Sequence, residues 1–277
     1  MGKNSKIEWT DNTFNPWWGC TKVSAACTNC YAEAWSKRVG QKIWGPKAAR
    51  RFFGDHHWSE PLKWNRDAAA TGRRLRVFCA SMADVFEDRD DLNASRAKLW
   101  GLIEATPQLE WLLLTKRPEC IAKYAPWTTD WPGNVWLGTT VEDQDAAEAR
   151  LDHLAKHAAA VRFISAEPLL GPLNIQPWLA STINWVITGG ESGPRARPSS
   201  PSWFRNLLTQ CMAANVPFHF KQWGDWAPGQ GINLPAARSE KIRKAADGTL
   251  MLRVGKKAAG RSLDGATWDE LPRAKVA

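Results

Sequence analysis

The chain has 277 residues, 44% of them hydrophobic, and a formal net charge of +9 from 37 Lys and Arg against 28 Asp and Glu. This length fits one large domain or two small ones, and the excess of positive charge favours polyanionic partners such as nucleic acid, although it would also serve solubility alone. No stretch reaches the roughly 18–20 apolar residues of a membrane span, and no apolar segment near the N-terminus marks a secretory signal, so we expect a cytoplasmic protein without membrane insertion.

Three of the six cysteines lie close together in the segment "NPWWGCTKVSAACTNCYAEAW", residues 15–35. Cys20, Cys27 and Cys30 have the spacing C-x6-C-x2-C, and in a cytoplasmic protein such thiols bind metal more often than they form disulfides. Thiolates suit zinc or iron–sulfur centres. A structural zinc site closes with four ligands, and no Cys or His pair follows at the spacing of a zinc finger. Three thiolates without a fourth ligand instead suit a 4Fe–4S cluster, with one iron left open.

Short apolar runs rich in β-formers recur beyond the cysteines and predict strands that are buried on both faces. The runs cover residues 75–81, 109–115, 134–140, 161–167, 183–189 and 217–223. Helical patterns lie between them, over residues 92–105, 142–157 and 201–214. With one possible strand before Cys20, this alternation predicts an α/β fold, a (βα) barrel or partial TIM-like barrel, with a doubly wound open sheet as the alternative.

Polar residues follow the end of each predicted strand. In a barrel these strand ends share one face, and that face holds the active site. The polar residues are Ser81 and Asp84; Thr115, Lys116 and Arg117; Thr139, Thr140 and Glu142; Glu167; Glu191 and Ser192; and Lys221 and Gln222.

The last part of the chain, residues 236–277, is basic and punctuated by glycine, and we expect it to form a hairpin-bearing extension packed on a barrel of residues 1–235. Lys256, Lys257 and Arg261 are candidates for contact with nucleic-acid phosphates, or else belong to a solvated charged loop.

A three-cysteine loop placed early and followed by (βα) units resembles the radical S-adenosylmethionine (SAM) enzymes. More closely, "KIEWTDNTFNPWWGCTKVSAACTNCYAE", "LLLTKRP", "ISAEPLLGPL", "VITGGESG", "FKQWG" and "GKKAAGRSLDG" resemble a phage-associated three-Cys-motif family found in phages and bacteria. The resemblance covers nearly the whole chain. It implies that the open iron binds SAM, that one electron from the cluster cleaves it, and that the resulting 5′-deoxyadenosyl radical abstracts hydrogen from a substrate inside the barrel.

The resemblance also implies roles for strand-end residues. SAM would lie in the barrel mouth, in contact with Tyr31 and with some of Thr115, Lys116, Thr139, Glu167 and Glu191. Catalytic candidates are Glu191, in a "GGE" that follows a late strand, and Cys79, a thiol that could return a hydrogen atom. A lone strand cysteine is more often a small buried hydrophobe. A helix is expected directly after the cysteine loop, starting near Thr28 and covering "CYAEAWSKR".

The function that follows is a radical-SAM-like iron–sulfur enzyme acting on a nucleic-acid or nucleotide substrate, with DNA repair or modification as options and a partner protein left open. The alternative is a zinc- or cluster-stabilised nucleic-acid-binding protein without SAM chemistry. A third hypothesis, a metal-independent hydrolase, gives the cysteines no role. It would draw its acid and base from Asp84, Glu142, Glu167 and Glu191.

Overall fold

The structure, a computed structural model, describes residues 2–229 and 241–272. Its strands are β1 (Asn12–Thr13), β2 (Trp17–Trp18), β3 (Arg51–Phe52), β4 (Leu75–Cys79), β5 (Leu109–Thr115), β6 (Val135–Thr140), β7 (Val161–Ala166), β8 (Trp185–Gly189), β9 (Phe218–Gln222), β10 (Trp226–Pro228), β11 (Ile242–Lys244) and β12 (Leu250–Arg253). Its α-helices are α1 (Tyr31–Arg38), α2 (Asp55–Thr71), α3 (Asn93–Glu104), α4 (Ile121–Tyr124), α5 (Gln144–Ala155), α6 (Gln176–Leu179), α7 (Pro201–Ala213) and α8 (Lys256–Ala259).

Seven parallel strands form one curled half-barrel sheet in the order β1-β4-β5-β6-β7-β8-β9. Every neighbouring pair in this sheet is parallel, so the carboxyl ends of all seven strands lie at the same edge. Each connection between consecutive strands from β4 to β9 carries a helix, as parallel pairing requires. The predicted partial TIM-like barrel is therefore confirmed.

The two faces of the half-barrel are buried in different ways, because successive side chains of a strand point to opposite faces. Val77, Leu113 and Leu137 belong to the large apolar core that the strands share with the helices. Phe78 and Leu112, one position away, belong to a smaller aromatic cluster inside the curl. That cluster also contains Trp9, Trp136, Val161, Phe163, Trp185 and Ile187.

The predicted strands are all present, each within two residues of its expected bounds. The three predicted helices correspond to α3, α5 and α7, and α5 begins two residues late because Asp143 is its N-cap and accepts a hydrogen bond from the Ala146 amide at 2.9 Å. The sequence analysis missed α2, whose buried side Trp58, Pro61, Trp64 and Ala68 packs on the core. None of the described helices is both long and apolar enough to cross a membrane.

A second, antiparallel sheet has the strand order β10-β12-β11, so the expected hairpin in the C-terminal extension is present as β11 and β12. Strand β10 precedes the predicted boundary at residue 235 and pairs with β12 beyond it. The boundary itself lies outside the described residues, and the division into residues 1–235 and 236–277 stays a prediction.

Gly138 in β6 gives the inside of the curl room for an aromatic ring. A Cβ atom at this position would lie 2.6 Å from the Cε1 atom of Phe163 in the neighbouring strand, far inside van der Waals contact. The Phe163 ring is fully buried and therefore has little space to retreat.

We expect Gly138→Ala to lower the free energy of unfolding by about 1–3 kcal/mol, because the added methyl group overpacks the interior. Chemical denaturation measures this, and Phe163→Leu in the same chain should recover part of the loss. Gly101→Ala is the control, since a Cβ there meets nothing within 4 Å and α3 gains helix propensity. Equal effects of the two alanines would contradict the overpacking argument.

Candidate active site at the cysteine loop

A cavity of about 780 Å³ opens at the carboxyl ends of the parallel strands. The loop that carries the three clustered cysteines forms one of its walls, and the ends of β4, β5, β6, β7, β8 and β9 form others. Residues 2–9 and the side chains of Trp35, Trp44 and Lys256 also line it. The sequence-predicted residues that line it are Cys20, Cys27, Cys30, Tyr31, Ser81, Asp84, Thr115, Lys116, Arg117, Thr140, Glu167, Glu191, Ser192, Lys221, Gln222 and Lys256. The structure thus brings most of the predicted site together.

The cysteine loop begins at Gly19, a position where any other residue would be strained. Gly19 has a φ of +115°, and a Cβ atom there would lie 2.8 Å from the Cδ atom of Arg50 and closer still to the carbonyl oxygen of Ile43. The Gly19 amide donates a 3.0 Å hydrogen bond to the carbonyl of Met82, just after β4. This close approach places Cys20 directly over the strand ends.

A buried guanidinium, that of Arg117, lies beneath Cys20. Its Nη1 donates to Asp84 at 2.9 Å and lies 3.8 Å from the Cys20 sulfur, and its Nη2 donates to the Thr21 carbonyl at 2.6 Å. Burial opposes its charge, but the neighbouring Asp84 and Cys20 raise the pKa of Arg117 above its ordinary value. A permanent positive charge therefore lies next to one of the three thiols.

A second buried guanidinium holds the segment that follows the helix after the loop. Arg50 donates to both carboxylate oxygens of Glu87, at 3.0 and 2.6 Å, and to the Thr21 hydroxyl at 2.9 Å. It also donates to the carbonyls of Ile43, Gly45 and Ala48. Arg50 thereby joins residues 43–50 to the start of the cysteine loop.

The far side of the loop is fastened to the ends of β6 and β8. The Ala26 amide approaches the Glu142 carboxylate at 3.5 Å, and the Asn29 side chain donates to Glu191 at 3.0 Å. Arg197 forms a two-pronged ion pair with Glu191 and also donates to the Ala25 carbonyl at 3.1 Å. Burial works against ionisation of Glu191, but Arg197 and Asn29 together hold its pKa below the ordinary value.

The third cysteine, Cys30, is the N-cap of α1, so the expected helix directly after the loop is present but begins at Tyr31 rather than near Thr28. Burial raises the pKa of the Cys30 thiol, while the backbone N–H groups of Glu33 and Ala32 and the charge of Lys116 oppose that rise. Burial and Asp84 raise the pKa of Cys20 to about 12. Without a metal both thiols keep their protons at neutral pH, and a metal must displace them.

Two polar atoms on the cavity wall are buried and have no hydrogen-bond partner among the described residues, the Oε1 atom of Glu167 and the Oγ atom of Ser192. The other oxygen of Glu167 accepts a 2.6 Å hydrogen bond from Lys221. Buried polar atoms are normally paired, so the free oxygen of Glu167 points to a ligand that donates a hydrogen bond there.

The cysteines fit a cluster better than a single metal ion. All six cysteines of the chain are free thiols, and three of them line this cavity. Over residues 2–229 and 241–272 no group of three or more His, Cys, Asp or Glu side chains is arranged to hold one ion, as the zinc alternative would need. In a 4Fe–4S cluster each thiolate binds a different iron, so the three sulfurs need not meet at one point.

Four predicted site residues do not line the cavity, and two of these, Lys257 and Arg261, are predicted to act from the C-terminal extension and not from the barrel mouth. Cys79 is part of the core that packs against the helices, on the face of β4 away from the interior of the curl. Thr139 is fully buried, does not line the cavity and donates to the Thr115 carbonyl at 3.0 Å. Arg261 is bonded to Asp269, and Lys257 is exposed on α8; neither lines the cavity.

The sequence analysis missed several residues that shape the cavity. Ser165 lines it on the strand face opposite to Ile164, just as Thr140, which the analysis did name, lies opposite to Thr139, so strict alternation along β6 and β7 was the usable signal. Asn29 fastens the loop to Glu191, 162 residues away, and Arg197 links Glu191 to the Ala25 carbonyl, 172 residues away. No local pattern marks such pairs.

The chain is thus a parallel half-barrel, a partial TIM-like barrel, with a three-thiol loop after its first strand. The family described as "Protein of unknown function (DUF5131)" matches residues 4–272, and the chain belongs to it. No curated protein is significantly similar to the chain in sequence.

Among solved structures, a doubly substituted spore photoproduct lyase with bound AdoMet and dinucleoside spore photoproduct is similar to this chain, with a TM-score of 0.50 and 13% identity over 91% of this chain and 71% of that one. A lyase with a tyrosine-to-phenylalanine substitution has a TM-score of 0.49 at the same identity and coverage. The first of these establishes a shared fold.

We expect Arg197→Ala to lower the free energy of unfolding by roughly 1–3 kcal/mol, because it leaves the buried Glu191 carboxylate without its main partner. Hydrogen exchange of the amides in residues 24–29 should accelerate, as measured by mass spectrometry. Arg195→Ala is the matched control, because this exposed side chain makes no hydrogen bond or ion pair to the described residues. Unchanged exchange in Arg197→Ala would show that the loop does not depend on this ion pair.

Proposed function

We propose that the protein is a radical-SAM-like iron–sulfur enzyme that binds a 4Fe–4S cluster through Cys20, Cys27 and Cys30. The observation that carries the proposal is the position of three free thiols on one cavity at the carboxyl ends of a parallel half-barrel. When bound and reduced, the cluster supplies the electron that cleaves SAM and begins radical chemistry.

Different residues of the cavity would bind different groups of SAM. The unpaired oxygen of Glu167 is suited to accept a hydrogen bond from the SAM ammonium group. Lys116, whose Nζ donates to Thr140 at 3.1 Å, is suited to pair with the SAM carboxylate. Tyr31 lies beside Cys30 and donates to the Ser81 carbonyl at 2.7 Å, which holds its ring over the cavity.

The other predicted site residues have different surroundings, and their roles in binding or catalysis remain proposals. Glu191 lines the cavity, but its carboxylate is occupied by Arg197 and Asn29, which favours a role in holding the cysteine loop. Thr115 donates to Asp84 at 2.7 Å and so supports the Arg117 site. A hydrogen-donor role for Cys79 and a SAM contact of Thr139 have no support in the positions of these side chains.

The substrate that we propose is a nucleic acid or nucleotide, as in DNA repair or modification. The net charge of +9 supports this, and the structurally similar lyase holds a dinucleoside photoproduct beside AdoMet. Lys256 lines the cavity and Lys257 is exposed next to it, so both can reach phosphate, whereas Arg261 would first have to leave Asp269. We also propose that the chain belongs to a phage-associated family and that the enzyme needs a partner protein.

We expect replacement of any one of the three loop cysteines by alanine to remove most of the iron bound after anaerobic reconstitution, because each thiolate binds a separate iron. Iron and sulfide analysis and visible absorption measure the loss. Cys120→Ala is the control, since this half-buried thiol does not line the cavity. If the triple-alanine chain retains as much iron and sulfide as the unmodified protein, the cluster assignment fails. A colourless protein with one zinc per chain would favour the alternative without SAM chemistry.

We expect the reconstituted, reduced protein to convert SAM into methionine and 5′-deoxyadenosine, which chromatography detects. Glu167→Gln should weaken SAM binding by about tenfold in anaerobic calorimetry, because a charge-assisted hydrogen bond to the ammonium group is lost. Glu119→Gln, at an exposed position outside the cavity, should bind SAM normally. Neither binding nor cleavage by a fully loaded cluster would leave only the cluster assignment standing.

A further inference from the structure

The surface next to the cysteine loop combines aromatic rings with positive charge. We define the aromatic–basic ridge as Trp18, Trp35, Arg51 and Phe53; Phe52 pairs with the buried Trp17 and lies on the other face of the two-stranded sheet. The ridge is built on the two-stranded sheet of β2 and β3 and on helix α1, and it does not belong to the half-barrel core. Trp18 precedes Cys20 by two residues, so the ridge and the cysteine loop are one continuous stretch of surface.

The rings of the ridge are held in fixed positions by one another. Trp18 packs edge-on against Trp35, with 5.0 Å between ring centroids, and against Phe53, with 5.2 Å. The guanidinium of Arg51 lies over the Trp18 ring, 4.7 Å from its centroid. The three rings are half-buried and Arg51 is exposed, and cation–π and edge-to-face contacts of this kind order such side chains before any ligand arrives.

Positive charge is concentrated in the same part of the chain. The fifteen residues 37–51 contain six Lys and Arg and no Asp or Glu. Only one of the six, Arg50, is buried, in its ion pair with Glu87. The exposed ones are Lys37, Arg38, Lys42, Lys47 and Arg51.

Apolar side chains are also exposed here. Eight large hydrophobic side chains are exposed in the part of the chain that the structure describes, and four of them fall between residues 23 and 52. They are Val23, Tyr31, Val39 and Phe52. These apolar side chains lie in the same part of the sequence as the exposed cations.

We propose that the aromatic–basic ridge binds an unpaired strand of nucleic acid and leads it into the cavity. Every base has a π-face that can stack on an aromatic ring, and the surrounding Lys and Arg neutralise the phosphates between the stacked bases. Trp35 and Trp44 line the cavity, so a strand that lies on the ridge reaches the cysteine loop.

This inference deepens the proposed function, on which it rests for the identity of the cavity, by naming the substrate as a polynucleotide with unpaired bases. An isolated nucleotide would bind in the cavity alone and would not use the aromatic–basic ridge. A duplex would present phosphates to the cations but no free base face to the rings, so it would use only half of the surface.

The test is fluorescence anisotropy of a labelled oligo(dT) of roughly 16 nucleotides, at the upper site size of such surfaces, titrated with the full-length, cluster-loaded protein. Trp35→Ala should weaken binding about tenfold through lost stacking, since this ring contacts Trp18 and lines the cavity. The pair Lys42→Ala and Lys47→Ala should also weaken it, and should reduce the log–log salt slope by about 1.4, or about 0.7 for each lost phosphate contact on a single strand.

Matched controls remove the same charge or apolar surface from elsewhere. Arg74 and Lys156 are exposed just before β4 and β7, at the opposite end of the sheet from the cavity, and Arg74→Ala with Lys156→Ala should leave binding and slope unchanged. Met212→Ala removes an exposed apolar side chain, 65% accessible, near the end of α7 and should have no effect.

Three outcomes would overturn the proposal: equal losses in ridge and control variants, no binding of oligo(dT) at low salt, or binding of a duplex of the same length as tight as that of the single strand. Iron content and SAM cleavage are measured on the unmodified protein in parallel. Ridge-dependent binding of the single strand without SAM cleavage would refute the enzymatic proposal and leave this inference standing. SAM cleavage without strand binding would refute this inference and leave the enzymatic proposal standing.

Discussion

The position of the cysteine loop depends on two guanidinium groups buried beneath it. The loop contains only one 3₁₀ turn of regular structure, Ala25–Cys27, so its backbone polar groups need partners from outside. Arg50 and Arg117 supply several of them, and their own charges are balanced by Glu87 and Asp84, both in the segment that follows β4. Guanidinium groups suit this role because they stay ionised when buried and donate in five fixed directions. Loss of either carboxylate would leave an uncompensated buried charge, so the end of β4, the end of β5 and the cysteine loop are coupled into one rigid unit.

The same arrangement couples the inside of the site to its outer surface. Arg50 and Arg51 are neighbours in sequence, yet one is buried against Glu87 and the other lies over the Trp18 ring. Adjacent residues of an extended segment point to opposite sides, which is how one short stretch holds the loop inward and presents an aromatic surface outward. The proposed cluster site and the proposed strand-binding surface therefore share a scaffold. A displacement of residues 43–52 would move both of them.

The sequence was sufficient for the fold because each central strand is apolar on both faces and ends in a polar residue, a pattern that few other architectures produce. The three thiols could be assigned to one site from their spacing alone. Assignments one residue apart were less secure, since Thr139 and Thr140 occupy opposite faces of β6 and only the register of the strand decides which meets the cavity. Helix α2 escaped because Pro61 interrupts its pattern, although Trp58, Trp64 and Ala68 mark its buried side. Arg197 could not be found, because its role depends on joining Glu191 in its own loop to the Ala25 carbonyl, 172 residues away, and only the folded chain brings these together.

An incomplete barrel has two exposed edge strands, and each is covered by a distant piece of the same chain. Lys3 forms an antiparallel bridge with Asn12 at the β1 edge, and His219 in β9 forms one with Asp269 at the other edge. Beside that second bridge, the Phe220 amide donates to the Trp268 carbonyl at 2.9 Å and the Glu270 amide donates to the Phe218 carbonyl at 3.3 Å. Unpaired edges are templates on which other chains add strands and aggregate. Lys3 and residues 268–270 therefore block intermolecular β-pairing at the two edges. The half-barrel can remain open without aggregating through its edge strands.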